Sequence, residues 1–305
     1  MNSTPRPSPR PSPGTPIAKS VEAALWMALA CATLSGLAAI IRHLSFHMDP
    51  MMILFLRMII AQVMLMPWLF KYGVGILHTK RIKLHALRAC FTCGAMVSSF
   101  YAWSMIPLAD VTALSFLAPI FATVGAALIL GETVRARRWA ATLIGFAGAM
   151  IILRPGMTTL ETGHWLTLVF AGCMACTTLV VKKLSSTEDP FVVVFYVGLF
   201  ITPVSFLLAL PVWQWPAPEL WIWLLPLGLS AVLGHLMFVK AFSCADASAV
   251  LPFDFLRLPF SALFGWLAFG EVSDTWTWVG AAVIFSSTFY ISRREAQLRR
   301  RAREA

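Results

Sequence analysis

Apolar residues along this chain come in blocks of about twenty, separated by short polar or charged turns, which is the pattern of repeated helical crossings of a bilayer. The blocks cover residues 21–43, 50–70, 84–106, 110–131, 138–154, 163–184, 190–211, 220–243, 246–270 and 275–292. The expected fold is an all-α membrane protein with ten transmembrane helices. The connections are too short for a folded domain, so any function has to be built inside the bundle.

The blocks repeat. Trp26 and Trp165 open the first and sixth, and Asp49-Pro50 and Asp189-Pro190 open the second and seventh. Pro119 and Pro259 interrupt the fourth and ninth, which close on Gly131-Glu132 and Gly270-Glu271; the four offsets are 139, 140, 140 and 139. Such a series predicts a duplicated unit of five spans. Five is odd, so the second copy enters the membrane from the opposite face, giving two inverted five-helix repeats. Inverted repeats with interrupted helices are the recurring build of secondary transporters, because two similar halves can exchange inward-open and outward-open shapes. The expected units are a disordered Pro/Ser/Arg-rich tail at 1–20, repeats at 21–156 and 157–292, and a basic tail at 293–305.

Composition and charge add orientation. The chain is 59% hydrophobic and 12% charged, with a formal net charge of +10. With the N-terminus inside, the basic residues collect on the cytoplasmic side, while the outer side keeps Arg42 and Arg154. Both termini are then cytoplasmic, and the terminal basic clusters face anionic lipid headgroups. That accounts for the charge without nucleic acid as a partner.

Enzyme chemistry finds little support. There is no H-E-x-x-H, G-x-S-x-G or Gly-rich phosphate loop, and no Walker motif for ATP hydrolysis. The C-x-x-C pairs Cys90/Cys93 and Cys173/Cys176 lie in apolar helical stretches, where cysteine serves as a small packing residue; a redox or metal role requires the pairs to meet. No metal or cofactor is expected. Gly145 and Gly148 mark a close helix approach, within the bundle or in a homodimer.

The stretch Ala102–Gly156 is the most specific part of the chain. Pro107-Leu-Ala-Asp110, Pro119, Gly131-Glu132, the basic turn after it and Arg154-Pro-Gly together resemble the drug/metabolite transporter superfamily, in its ten-span EamA type. Arg57, following Pro50, matches the first-half pattern too, whereas its second-half counterpart is Val197. The resemblance implies a carrier of small metabolites in a bacterial inner membrane. An amino-acid exporter is the leading cargo reading. An S-adenosylmethionine or nucleoside-type carrier is the alternative, toward which the Pro107-Leu-Ala-Asp110 and Arg154-Pro-Gly elements lean.

Charges deep in a span are the strongest candidates for chemistry, since each costs about 2.5–3.5 kcal/mol on insertion scales. Arg57, Asp254 and Arg257 qualify, the last two on one helix face. Once Asp254 neutralises one arginine, the other offers a planar fork to a substrate carboxylate. Asp254 instead receives an amine or a coupling proton, with His235 the second proton candidate; the alternative is that Asp254 and Arg257 form a purely structural pair. Tyr101 and Trp103 belong to an aromatic belt or a cavity wall, and Gln62 and Ser98 add polar contacts. Pro119, Pro252 and Pro259 break helices, freeing backbone carbonyls. Glu132 and Glu271 sit at span ends as caps or gate latches.

Overall fold

The computed structural model describes residues 16–72, 79, 81–129, 136–154, 159–184, 190–244, 250 and 253–304, and among these there is no strand. The helices are α1 (Pro16–Ser45), α2 (Pro50–Tyr72), α3 (Ile82–Met105), α4 (Leu108–Ser115), α5 (Ala118–Ile129), α6 (Ala136–Leu153), α7 (Thr162–Leu184), α8 (Pro190–Ala209), α9 (Trp221–Cys244), α10 (Arg257–Phe269) and α11 (Thr275–Glu304). Six stretches, within α1, α2, α4–α5, α7, α8 and α9, are long and apolar enough to cross a membrane. Large apolar side chains such as Leu143, Leu207, Ile222, Leu225, Val239 and Leu267 stand exposed on the outside of the bundle. Lipid, not water, is the solvent that accepts such a surface.

Local chemistry accounts for several helix ends. Asp49 accepts the Met51 backbone N–H at 2.8 Å and so caps α2, with Pro50 in the first helical position where no N–H is needed. Gly270 ends α10 in the left-handed region, φ 68°, and the Glu271 N–H returns to the Gly265 carbonyl at 3.1 Å. This turn throws the Glu271 side chain back over α10, which gives the Gly-Glu sequence a physical role. α11 runs on through the basic C-terminal residues to Glu304, and α1 starts at Pro16.

Both proline-marked helices are broken. Between α4 and α5 the chain tightens, with Phe116 and Leu117 donating to Ala113 and Leu114 three residues back. Before α10 the same happens, with Leu256 donating to Phe253 and Leu258 to Phe255. Pro119 and Pro259 follow these turns; each lacks the N–H that would bond a carbonyl four residues earlier, and each disfavours helical geometry at its predecessor.

Helix packing falls into matched sets. α1 packs along α9 as α3 packs along α7; α2 meets α9 as α3 meets α8; α1 meets α10 as α7 meets α4 and α5. Three pairs, α2 with α8, α6 with α11 and α4 with α10, are their own counterparts under the repeat. Four apolar clusters result among the described residues, two of them large. One lies among α1, α2, α3, α8 and α9 around Ile41, Leu44, Met52, Leu54 and Leu227; the other lies among α4 to α7, α10 and α11 around Leu114, Leu117, Ile120 and Ile284. Where α6 crosses α11, Gly148 and Gly280 face each other so closely that a Cβ on either would stand 2.5–2.8 Å from the other's carbonyl oxygen.

Candidate functional site

The interruption before α10 carries a polar cluster. Arg257 Nη2 donates to Asp254 Oδ1 at 2.7 Å, and both side chains keep about a quarter of their surface accessible, at 28% and 22%. The Cys31 thiol of α1 reaches the Phe253 and Asp254 carbonyls at 3.6 Å and the Asp254 carboxylate at 3.8 Å. Behind the ion pair runs a chain of buried hydroxyls. Thr112 donates to Ser261 at 2.8 Å, Ser261 to Ser35 at 3.1 Å, and Ser35 to the Arg257 carbonyl at 3.1 Å. Hydrogen bonds of this kind between membrane helices contribute about 0.6 kcal/mol each, and this chain fixes α1, α4 and α10 around the break.

Arg57 lies two turns into α2 and is 8% exposed. Its guanidinium meets the Met58 and Met96 thioethers at 3.6 and 3.8 Å and the Phe100 ring at 6.0 Å, and its Nε is buried without a partner. Among the described residues no carboxylate pairs with it.

His235 shares a face of α9 with Leu224 and Gly228, which are buried, and with Ala231, buried as well. His235 itself is exposed. Its Nδ1 is 2.7 Å from the Ala231 carbonyl oxygen.

A second polar cluster ties one end of the bundle. Arg42, at the end of α1, pairs with Glu271 at 2.6 Å and donates to the Trp103 and Ile106 carbonyls at 2.9 and 2.6 Å. Glu271 Oε2 accepts the Leu108 N–H at 3.1 Å, so the pair joins α1, the α3–α4 junction and the α10–α11 turn. Beside it the Thr277 hydroxyl donates to Asp110 at 2.6 Å, and Arg154, itself at φ 40°, pairs with Asp274. Asp110 and Arg154 thus fasten their segments at this end to the start of α11 and the residue before it.

The remaining expected site residues are dispersed. The Tyr101 hydroxyl donates to the capping carboxylate of Asp49 at 3.4 Å, and the Trp103 ring packs near Phe100 and Phe170. Gln62 is laid over Gly198, its side-chain oxygen occupying the space a Cβ there would take, which makes it a packing contact between α2 and α8. Ser98 is buried in α3. Pro119 and Pro259 lie just after the two breaks, while Pro252 and Glu132 fall outside the described residues. Cys173 packs against Gly94, so the two C-x-x-C segments approach each other across the α3–α7 contact; no group of three or more metal-ligating side chains forms among the described residues. Sequence reasoning gave Arg42 only a place in the charge balance and missed Cys31, Ser35 and Asp274; the signal for Arg42 was a helix-end arginine opposite a Gly-Glu turn.

A helical membrane bundle with two broken helices and charges at its centre defines an integral membrane transporter. The chain belongs to the EamA-like transporter family, whose pattern matches residues 21–154 and again 161–293. It is 36% identical over 290 residues to a riboflavin transporter of Vibrio cholerae, covering 93% of this chain and 97% of that one. It is 28% identical to an S-adenosylmethionine uptake transporter of Rickettsia prowazekii, covering 87% and 90%. A solved crystal structure with 18% sequence identity superposes with a TM-score of 0.57 over 94% of this chain and 99% of that one, and so shares the fold.

Proposed function

We propose that this protein is a secondary transporter moving a flat, heterocyclic metabolite of the riboflavin class by alternating access. The observation that carries the cargo is the near full-length relationship to a riboflavin transporter at 36% identity. The geometry supports transport: the two interrupted helices meet through Phe116 and Phe255, and Arg57 and the Asp254–Arg257 pair hold charge within the helical bundle. Residues so costly to hold in lipid are kept where they serve a substrate or ion path.

The topology we propose is ten crossings in two inverted repeats, with both termini on the cytoplasmic side of a bacterial inner membrane. Its support is the double family match and the matched packing sets, in which the principal contacts between the two halves are answered by those of counterpart helices. The Lys/Arg bias supports the orientation.

S-adenosylmethionine is the second reading. The relationship to an uptake carrier for it favours that cargo, and Asp254 suits a cationic sulfonium or amine. An amino-acid cargo has the cluster's charges in its favour, whereas the relatives named above are riboflavin and S-adenosylmethionine transporters. The experiment is counterflow in proteoliposomes of labelled riboflavin, S-adenosylmethionine and an amino-acid panel, with Asp254→Asn and Arg57→Gln alongside. Riboflavin counterflow that both substitutions abolish is the expected outcome; exchange of another cargo alone overturns the flavin reading.

A further inference from the structure

We propose, resting on the flavin cargo above, that the pocket between the α1–α2 turn and the α8–α9 connection is a reception site for the flat ring of that cargo, stacked on Trp215 and held by Glu219.

The α8–α9 connection is built to keep one shape. It makes single 3₁₀ turns at Leu210–Val212 and Pro218–Leu220, and Pro211, Pro216 and Pro218 each fix a backbone angle. Trp221 Nε1 donates to the Pro216 carbonyl at 3.2 Å. The Trp213 ring lies against Phe55 of α2 and Phe206 of α8, with centroids 5.7 and 5.8 Å away, and meets the Trp215 ring perpendicularly at 5.6 Å. Trp215 is thereby held in place while 70% of its surface stays open.

Trp215 lines a pocket of about 360 Å³, within the range of roughly 300–1,000 Å³ that small-molecule sites occupy. Met48, Pro216 and Leu220 give it a buried apolar floor, and His47, Gln214 and Glu219 an exposed polar rim. A tryptophan serving only as an interfacial anchor needs neither such a floor nor a carboxylate, an amide and an imidazole around one space.

The rim is rich in acceptors. Glu219 brings a carboxylate and Gln214 an amide oxygen. His47 Nδ1 lies 3.2 Å from the His43 carbonyl oxygen, which can only accept, so the neutral ring is left with Nε2 as an acceptor. Among the described residues no lysine or arginine lines the pocket. Such a set suits a ligand that donates and disfavours one that carries phosphate. A riboflavin-class molecule donates from its imide N–H and its ribityl hydroxyls, and its fused rings offer Trp215 a face to stack on.

The pocket shares its end of the bundle with the Arg42–Glu271 pair. Residues 42–48 run from one to the other, and Phe46 between them packs on Phe269, next to Gly270-Glu271. In the orientation proposed above this is the outer end, so the pocket meets external cargo.

The test labels the pocket directly. Ala217, in its wall, has an extended backbone that accepts other residues. Ala217→Cys is treated in intact cells with a membrane-impermeant maleimide, with wild type as the blank for the native cysteines. External riboflavin is expected to slow the labelling, and to slow it equally when Arg57→Gln is added. Counterflow into right-side-out vesicles is the second readout. Trp215→Ala raises the KM for external riboflavin about tenfold at an unchanged maximal rate, and Trp215→Phe, which keeps a stacking face, restores it. Riboflavin 5′-phosphate protects several-fold less than riboflavin, and Glu219→Gln narrows that gap.

Labelling indifferent to riboflavin while counterflow proceeds overturns the reception site and leaves the cargo standing. So does protection that vanishes with Arg57→Gln, which assigns it to the centre of the bundle, and so does labelling confined to permeabilised cells. A wild-type KM in Trp215→Ala overturns it as well, making the residue a membrane anchor alone. Wild type that exchanges no riboflavin overturns the flavin reading itself.

Discussion

The rings of Phe116 and Phe255 stack with centroids 5.4 Å apart and planes 27° from parallel. Phe116 belongs to the turn between α4 and α5, and Phe255 to the turn before α10, so the two interruptions touch each other directly. Neither turn has a regular helical ladder to stiffen it, and the stacked pair supplies a contact in its place. Aromatic pairs contribute about 0.5–1.5 kcal/mol beyond the area they bury. A double-mutant cycle of Phe116→Leu and Phe255→Leu, followed by thermal unfolding in detergent, is expected to return a coupling within that range. A coupling near zero would mean that the turns meet by packing geometry alone.

Arg57 invites a different comparison. Its surroundings are two thioethers and a phenyl ring, and among the described residues no acid answers its charge. If Arg57 is held for a substrate, Arg57→Met should raise thermal stability, by up to about 2.5–3.5 kcal/mol on insertion scales, while abolishing riboflavin counterflow. A structural arginine would behave in the opposite way, losing stability with the guanidinium. Unfolding temperature and counterflow measured on the same preparation separate the two.

Much of the helical layout can be read from residues alone, because apolar length and proline position are local properties. The run around Pro119 predicted a broken helix, and the break falls at Phe116 and Leu117, before the proline, where its missing N–H and its steric effect on the preceding residue act. The candidate site is less legible. Gln62 looked like a polar group for the cavity, yet Gly198 on α8 leaves a slot that its side chain fills. Glu271 looked like an interfacial cap, and its partner Arg42 lies far away in the chain, a contact set by the packing of α1 against α10.

The Arg42–Glu271 pair is expected to respond unequally to substitution. Both side chains are largely buried, 13% and 12% exposed. Glu271→Gln keeps one oxygen, for the Leu108 N–H or for Arg42, and Arg42 retains the Trp103 and Ile106 carbonyls. Arg42→Gln leaves a buried carboxylate with a single backbone donor, the costly case in which one member of a buried pair is removed, at about 3–5 kcal/mol. Thermal unfolding should therefore show Arg42→Gln clearly less stable than Glu271→Gln. If the pair also latches one end of the cavity, Glu271→Gln alters turnover at nearly unchanged riboflavin affinity; turnover equal to wild type in both variants would remove the latch.

The α6–α11 crossing gives a prediction with its own control. A Cβ at Gly280 would stand 2.5 Å from the Gly148 carbonyl oxygen and equally close to Ile152, and one at Gly148 would meet the Gly280 carbonyl oxygen and Ile284 at 2.8 Å. Backbone cannot move aside as a side chain can, so Gly280→Ala and Gly148→Ala force the two helices apart. Overpacking of this kind costs about 1–3 kcal/mol. Gly172, within α7, has nothing within 4 Å of its hypothetical Cβ. There Gly172→Ala should leave stability unchanged or raise it by about 0.5–1 kcal/mol, since alanine favours the helix more than glycine does. Unfolding temperatures of the three variants in one detergent decide the matter. A loss at Gly148 and Gly280 without one at Gly172 identifies the crossing as a backbone contact that tolerates no side chain, whereas equal responses at all three would place the effect in helix propensity and leave α6 and α11 free to slide.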